Sequence, residues 1–239
     1  MINVAQKAVA RLQNIFARNH QRSYAQSGED LILAYIFRWI GIAKPTYLDI
    51  GAHHPTWLSN TYLFYKGGSS GVCIEPDLDC FENIRKHRKR DVCLNVGVGV
   101  GGAESLKLYV MTARTLNTFS REEAERCQNT RNYGDQRIER IIDVPVRSIS
   151  EIMREYSSGG VNLVSIDVEG LDFEILREFD FATYQPEVFC VETLRYQEDG
   201  SLKKNANLIR FMQEQGYAVY ADTYINTIFM SEAAAARIR

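Results

Sequence analysis

The stretch Tyr47-Leu48-Asp49-Ile50-Gly51-Ala52-His53-His54-Pro55 is a short apolar run that ends in a glycine turn. Alone it predicts one β-strand and the loop after it. Runs of the same kind recur along the chain: GVCIE (71–75), VCLNV (92–96), LKLYV (106–110), VNLVSIDV (161–168), EVFCVE (187–192), YAVYA (217–221) and NTIFM (226–230). Between most of them lie helical stretches, such as LDCFENIRKHRKR, LDFEILREF and NANLIRFMQEQ. Strands alternating with helices predict an α/β domain: a mostly parallel sheet with helices on both faces. The last two runs are joined by a short link, which predicts an antiparallel pair at one edge.

The 239 residues suit one large domain with an extra element. Apolar residues make up 45% and charged residues 24%, which excludes a disordered tail and a collagen-like repeat. The formal net charge of −2 lacks the basic footprint of a nucleic-acid binder, so no nucleic-acid partner is expected. RKHRKR (85–90) is a dense basic run, and as the continuation of a surface helix it reads as a solvated face. Five cysteines without a CxxC pair argue against a disulfide framework and favour a reducing, cytoplasmic setting. Cys73, Cys93 and Cys190 sit inside apolar runs as small buried hydrophobes.

Residues 1–44 are expected to form a helical extension to a domain spanning 45–239. Val4, Val9, Leu12, Ile15 and Phe16 recur near the helical period with Lys7, Arg11 and Arg18 between them. Such a basic amphipathic helix packs on its own domain or a second copy, or rests peripherally on an anionic membrane. Ser27 reads as the cap of the next helix, with Glu29 and Asp30 near the positive end of its dipole. Residues 111–141 are polar and long for a loop, and predict a partly helical insert, either a solvated excursion or a lid beside the sheet.

Open α/β sheets bind ligands outside the carboxyl ends of their strands, where strand order reverses, which directs attention to the residues after Ile50. A dinucleotide site wants G-x-G-x-x-G there, so that the backbone can approach a pyrophosphate. Here only Gly51 is present, which suits an adenosine-bearing ligand without phosphates, S-adenosylmethionine. The second run ends at Glu75, followed by Pro76; an acid at that point can accept hydrogen bonds from both ribose hydroxyls.

The layout resembles that of class I (Rossmann-like) methyltransferases. More specifically, SYAQSGEDLIL, YLDIGAHHP, SNTYLFYKGGSSGVCIEPD, NVGVG, VPVRSI and VSIDVEG, over roughly residues 23–230, resemble the FkbM family of S-adenosylmethionine-dependent methyltransferases. The resemblance implies O-methylation of a sugar in a polysaccharide or glycosylated natural product. It also implies that Asp49 and Gly51 hold the methionine end of the donor, with His53 nearby, and that Glu75 holds the ribose. Asn95, Val96, Gly97 and Val98 would lie near the adenine, with Gln26, Glu29 and Asp30 closing over the donor. Gly97 stands where the family often has alanine.

Methyl transfer to a hydroxyl needs an aligned nucleophile and a base for its proton. The fifth run ends in Asp167 and Glu169, which an extended chain would point to one side. The next ends at Glu192, and His53 and His54 follow the first. Asp167, Glu169, Glu192 and His54 are therefore the candidate catalytic residues. Asp167, Glu192 and His54 also make a candidate site for Mg²⁺ or Mn²⁺, and an ion there would lower the pKa of a sugar diol. Asn60 and Thr61 either cap the next helix or reach the donor. Tyr109, Arg114, Asn117, Thr118, Arg131 and Tyr133 offer the polar and aromatic groups that carbohydrates favour. Competing expectations are a small-metabolite, peptide or lipid-linked acceptor, and a non-catalytic adenosyl-binding scaffold.

Overall fold

The structure is a computed structural model, described here for residues 21–129, 135–157, 159–196 and 201–238. The amphipathic segment 1–20, with its expected membrane or subunit contact, and Arg131 and Tyr133 lie outside the described residues.

The main sheet has seven strands: β1 (Tyr47–Ile50), β2 (Gly71–Ile74), β3 (Val92–Leu94), β7 (Leu163–Ile166), β8 (Val188–Glu192), β11 (Tyr217–Asp222) and β12 (Asn226–Ser231). Their order is β3-β2-β1-β7-β8-β12-β11. The first five are mutually parallel, whereas β12 runs antiparallel to both β8 and β11. This is the class I methyltransferase arrangement, with the reversed strand one in from the edge. β1 and β7 are buried along their whole length, as strands covered on both faces must be.

Helices cover the two faces. On one, α1 (Glu29–Trp39), α2 (Tyr62–Lys66) and α3 (Leu78–His87) bring Leu33, Ile36, Phe37, Phe64 and Ile84 onto Tyr47, Leu163 and Ile228. On the other, α5 (Ile149–Tyr156), α6 (Asp172–Arg177) and α7 (Ala206–Glu214) pack Ile152, Met153, Leu176, Leu208 and Met212 onto Leu48, Ile166 and Phe189. Local signals set the helix starts: Asp77 caps α3 by accepting from Asp79 N and Cys80 N, and Ser148 with Glu151 forms a capping box on α5. Ser27 does not cap α1. Its N-cap is Gly28 in the left-handed region, and the Glu29 carboxylate instead accepts from Ser27 N at 2.8 Å.

A second sheet departs from the expected layout. β4 (Gly97–Val98), β6 (Ile138–Arg147) and β5 (Ser105–Met111) pair in the order β4-β6-β5, and the insert between β5 and β6 carries α4 (Arg121–Asn129). A short hairpin, β9 (Leu194–Tyr196) with β10 (Leu202–Lys204), follows β8. The basic run also departs from expectation. Arg85 is exposed, but Arg88 is wholly buried because α3 has ended and the chain turns inward. All five thiols are free, with Cys73 and Cys190 buried as expected.

Candidate active site

Strand order reverses between β1 and β7, and there the backbone is pulled tight. Gly51 has φ +82°, and its N–H and that of Ala52 both donate to Ile74 O, at 3.0 and 3.1 Å. A Cβ on Gly51 would lie 1.9 Å from Asp167 O, so only glycine lets the two strand ends approach. His53 follows with φ +48°, and its N–H donates to Glu75 Oε2 at 2.8 Å. Asp77 N holds the other Glu75 oxygen at 2.8 Å, and Asn95 Nδ2 donates to the carbonyls of Glu75 and Pro76. Burial pushes the Glu75 carboxyl up to about 7 against these backbone donors.

These elements enclose a cavity of about 250 Å³ at the carboxyl edge of the sheet. Among the expected donor-binding and catalytic residues, Gln26, Gly51, His53, Glu75, Pro76, Gly97, Val98, Asp167 and Glu169 line it. The others make contacts outside its lining. Glu29 is buried, accepting from Thr223 Oγ1 at 2.6 Å and Asn226 Nδ2 at 3.2 Å; Asp30 accepts from Ser23 Oγ and Tyr24 N at 2.6 and 2.7 Å. Both carboxylates lock the N-terminal segment instead of facing the cavity. Asn60 donates to Ser165 Oγ at 3.1 Å, Asn95 braces the exit of β2, and Val96 packs on the core. Asp49 is set back from the cavity wall, its Oδ2 accepting from Thr61 Oγ1 at 2.5 Å.

The sequence reading missed part of the wall. Trp57 and Leu58 reach it from the β1 loop, Leu58 at φ +51°, and Trp57 stays 56% exposed at the mouth. Leu116 and Phe119 reach it from the insert, beside Asn117, which was expected to meet an acceptor, so this part of the insert covers the site. Arg114 also lines it but is ion-paired with Glu139 at 2.8 Å. Phe119 explains the glycine at position 97, because a Cβ there would meet its ring at 2.5 Å. Thr118 and Tyr109, expected to meet an acceptor, are buried and paired across a β-bridge.

Beside the first cavity lies an acidic one of about 220 Å³, bordered by Glu122, Glu123, Glu169, Asp172, Glu192 and Arg195 among others. Glu169 borders both. Asp167, Glu169 and Glu192 each offer an oxygen within 4.8 Å of the others. Their convergence has a different cause from the one expected: β7 stops at Ile166, and Glu169 sits at φ +53° in a turn. Thr118 Oγ1 donates to Glu169 O at 2.6 Å and holds that turn. Burial, then repulsion from Asp172, Asp49 and Glu29, raises the Asp167 carboxyl to about 7; burial, then repulsion from neighbouring carboxylates that include Asp167 and Asp172, raises those of Glu169 and Glu192 well above the ordinary range. His54 does not join this group among the described residues: its Nδ1 accepts from Thr56 N and Trp57 N at 3.2 and 3.0 Å, closing its own turn.

The family model for the methyltransferase FkbM domain matches residues 49–219. The chain belongs to the FkbM methyltransferase family. An FkbM methyltransferase takes its methyl group from S-adenosylmethionine, and the cavity fits that donor: an acid at the end of β2, a glycine at the end of β1, and apolar walls from Ile74, Val98, Leu108 and Phe119. No curated protein matches the sequence. Among solved structures, a TehB-like SAM-dependent methyltransferase from Corynebacterium glutamicum is 10% identical, with TM-score 0.41 over 95% of this chain and 97% of that one. An O-methyltransferase from Bacillus cereus, in complex with SAH, is 12% identical, with TM-score 0.42 over 93% of this chain and 88% of that one. Among the described residues no helix is long and apolar enough to cross a membrane.

Proposed function

We propose that this FkbM methyltransferase methylates a hydroxyl group, and that the acceptor is a sugar in a polysaccharide or glycosylated natural product. The observation that carries this reading is Glu169 standing between two cavities, one fitted to the methyl donor and one rich in carboxylates. When bound, the donor supplies an electrophilic methyl group on a sulfonium. Glu75 has lone pairs left over from its two backbone donors with which to accept the ribose hydroxyls. Asp167, raised to about 7, is matched to take the hydroxyl proton near neutral pH. Glu169 and Glu192 hold the acceptor from the other cavity, and the exposed Trp57 ring gives a sugar an apolar face at the mouth.

The carboxylate group also suits a hard cation, since Asp167, Glu169 and Glu192 present oxygen ligands at one locus. Mg²⁺ or Mn²⁺ held there would lower the pKa of the acceptor hydroxyl. The test is calorimetry of the stripped protein with S-adenosylhomocysteine, with and without Mg²⁺, followed by transfer of radiolabelled methyl to a glycan panel. Label released as methanol after mild base would point to a carboxyl ester instead of an ether and overturn the hydroxyl assignment. Label confined to non-sugar acceptors would overturn the sugar.

A further inference from the structure

Arg88, in the basic run that reads as a solvated face, is 0% exposed. Each of its three guanidinium nitrogens has a partner. Nε donates to Asp91 Oδ2 at 2.7 Å, and one terminal nitrogen donates to Tyr47 Oη and to Thr61 Oγ1, both at 2.9 Å. The other terminal nitrogen lies 3.5 Å from Ser59 Oγ and 3.8 Å from Asp49 Oδ2, and the rings of Tyr47 and Tyr65 pack against the group at 5.3 and 5.2 Å. Asp91 is occupied in turn by the Tyr47 hydroxyl and Gly71 N.

The direction of the chain of hydrogen bonds follows from donor chemistry. Arginine only donates and a carboxylate only accepts, so the Thr61 hydroxyl accepts from Arg88 and must direct its own proton to Asp49. Among the described residues both contacts to Asp49 fall on Oδ2, and Asp49 stands two residues before Gly51, which lines the first cavity. We infer that Arg88 and Thr61 are positioning residues of the donor site, holding Asp49 fixed and negatively charged so that its second oxygen meets the cationic end of S-adenosylmethionine. This rests on the reading of the first cavity as the donor site. Burial raises the Asp49 carboxyl, and Arg88 followed by Thr61 opposes that rise. The other ionisable groups facing Asp49 are Asp91 beyond α3, Cys73 and Glu75 on or beside β2, Asp167 after β7 and Cys190 on β8. Glu75 and Asp167 themselves titrate near 7, so the informative quantity is the difference between variant and wild type.

The experiment measures the affinities of S-adenosylmethionine and S-adenosylhomocysteine by calorimetry from pH 6 to 8, for wild type, Thr61→Val, Thr61→Ser and Arg88→Lys, and for Thr61→Val in an Asp49→Asn background. Melting curves confirm that each variant is folded. Thr61→Val is expected to weaken the sulfonium ligand by about tenfold, the effect of one hydrogen bond to a charged group. The uncharged thioether should lose less, and the variant's deficit should grow as pH falls. Thr61→Ser should restore wild-type behaviour, and Arg88→Lys should share the pH-dependent deficit if Thr61→Val does not fold. In the Asp49→Asn background Thr61→Val should add nothing. Wild-type affinity in Thr61→Val and Arg88→Lys, or an undiminished loss in the Asp49→Asn background, overturns the inference while leaving the donor site standing. A wild-type protein that binds neither ligand overturns both.

Discussion

At Gly51 the β1 turn and the Asp167 carbonyl meet with no space for a side chain. Gly51→Ala must therefore part β1 from β7 at their ends or strain a φ of +82°, and is expected to cost about 2 kcal/mol or more in urea unfolding while abolishing S-adenosylhomocysteine binding. Glu75→Gln keeps the volume but removes the charge, and should weaken that ligand by more than tenfold in calorimetry, with little loss of melting temperature. Asp167→Asn separates binding from chemistry: ligand affinity within severalfold of wild type, and methyl transfer down by about a hundredfold. Full activity in that variant would remove Asp167 as the base. Gly51 and Glu75 could be placed beside the cavity from sequence because each follows the end of an apolar strand. Glu29 and Asp30 stand outside the cavity lining for an equally physical reason. A carboxylate that anchors the chain to Thr223 looks, in sequence, like one that faces a ligand.

The eight apolar runs of the sequence all became strands, and for β1, β2, β7 and β8 the reason is that continuous apolar residues are what buried parallel strands require. β6 was missed for the converse reason: much of it is exposed and Pro145 interrupts it, so neither alternation nor a long apolar run marks it. The insert was recognised by length, but the part of it that reaches the donor cavity is the short stretch around Thr118, whose contacts no local pattern encodes. Thr118 is 1% exposed and holds the turn at Glu169 through its hydroxyl. Thr118→Val is expected to cost about 1 to 2 kcal/mol. It should lower turnover more than donor affinity, with Thr118→Ser restoring both in a labelled-methyl assay. Equal losses in turnover and affinity would mean that the insert merely shapes the donor cavity.

Across the whole molecule, the buried acids make stability depend on pH in an unusual sense. Glu75 and Asp167 titrate near 7 when folded but from 4.5 and 3.8 when unfolded, and Glu169 and Glu192 are also raised. Between those values the folded chain holds protons that the unfolded chain has lost, so these groups favour the fold at low pH and withdraw that support as pH rises through about 7. The ligand-free melting temperature should fall from pH 5 to 8 by calorimetric scan, and Mg²⁺ at the acidic group should flatten the decline. The order of the strands has a different consequence, for synthesis. β1 emerges early yet pairs through β7 more than a hundred residues later, and Glu29 finds Thr223 and Asn226 at separations of 194 and 197 residues. Such non-local pairing makes folding slow, because the cost of closing long loops precedes the contacts that repay it. A ribosome-bound chain therefore lacks the floor of its donor pocket until the Asp167 turn has left the exit tunnel. Helix α1 has no C-terminal anchor until translation is almost finished, and a chain stalled before β12 is a substrate for chaperones and proteases.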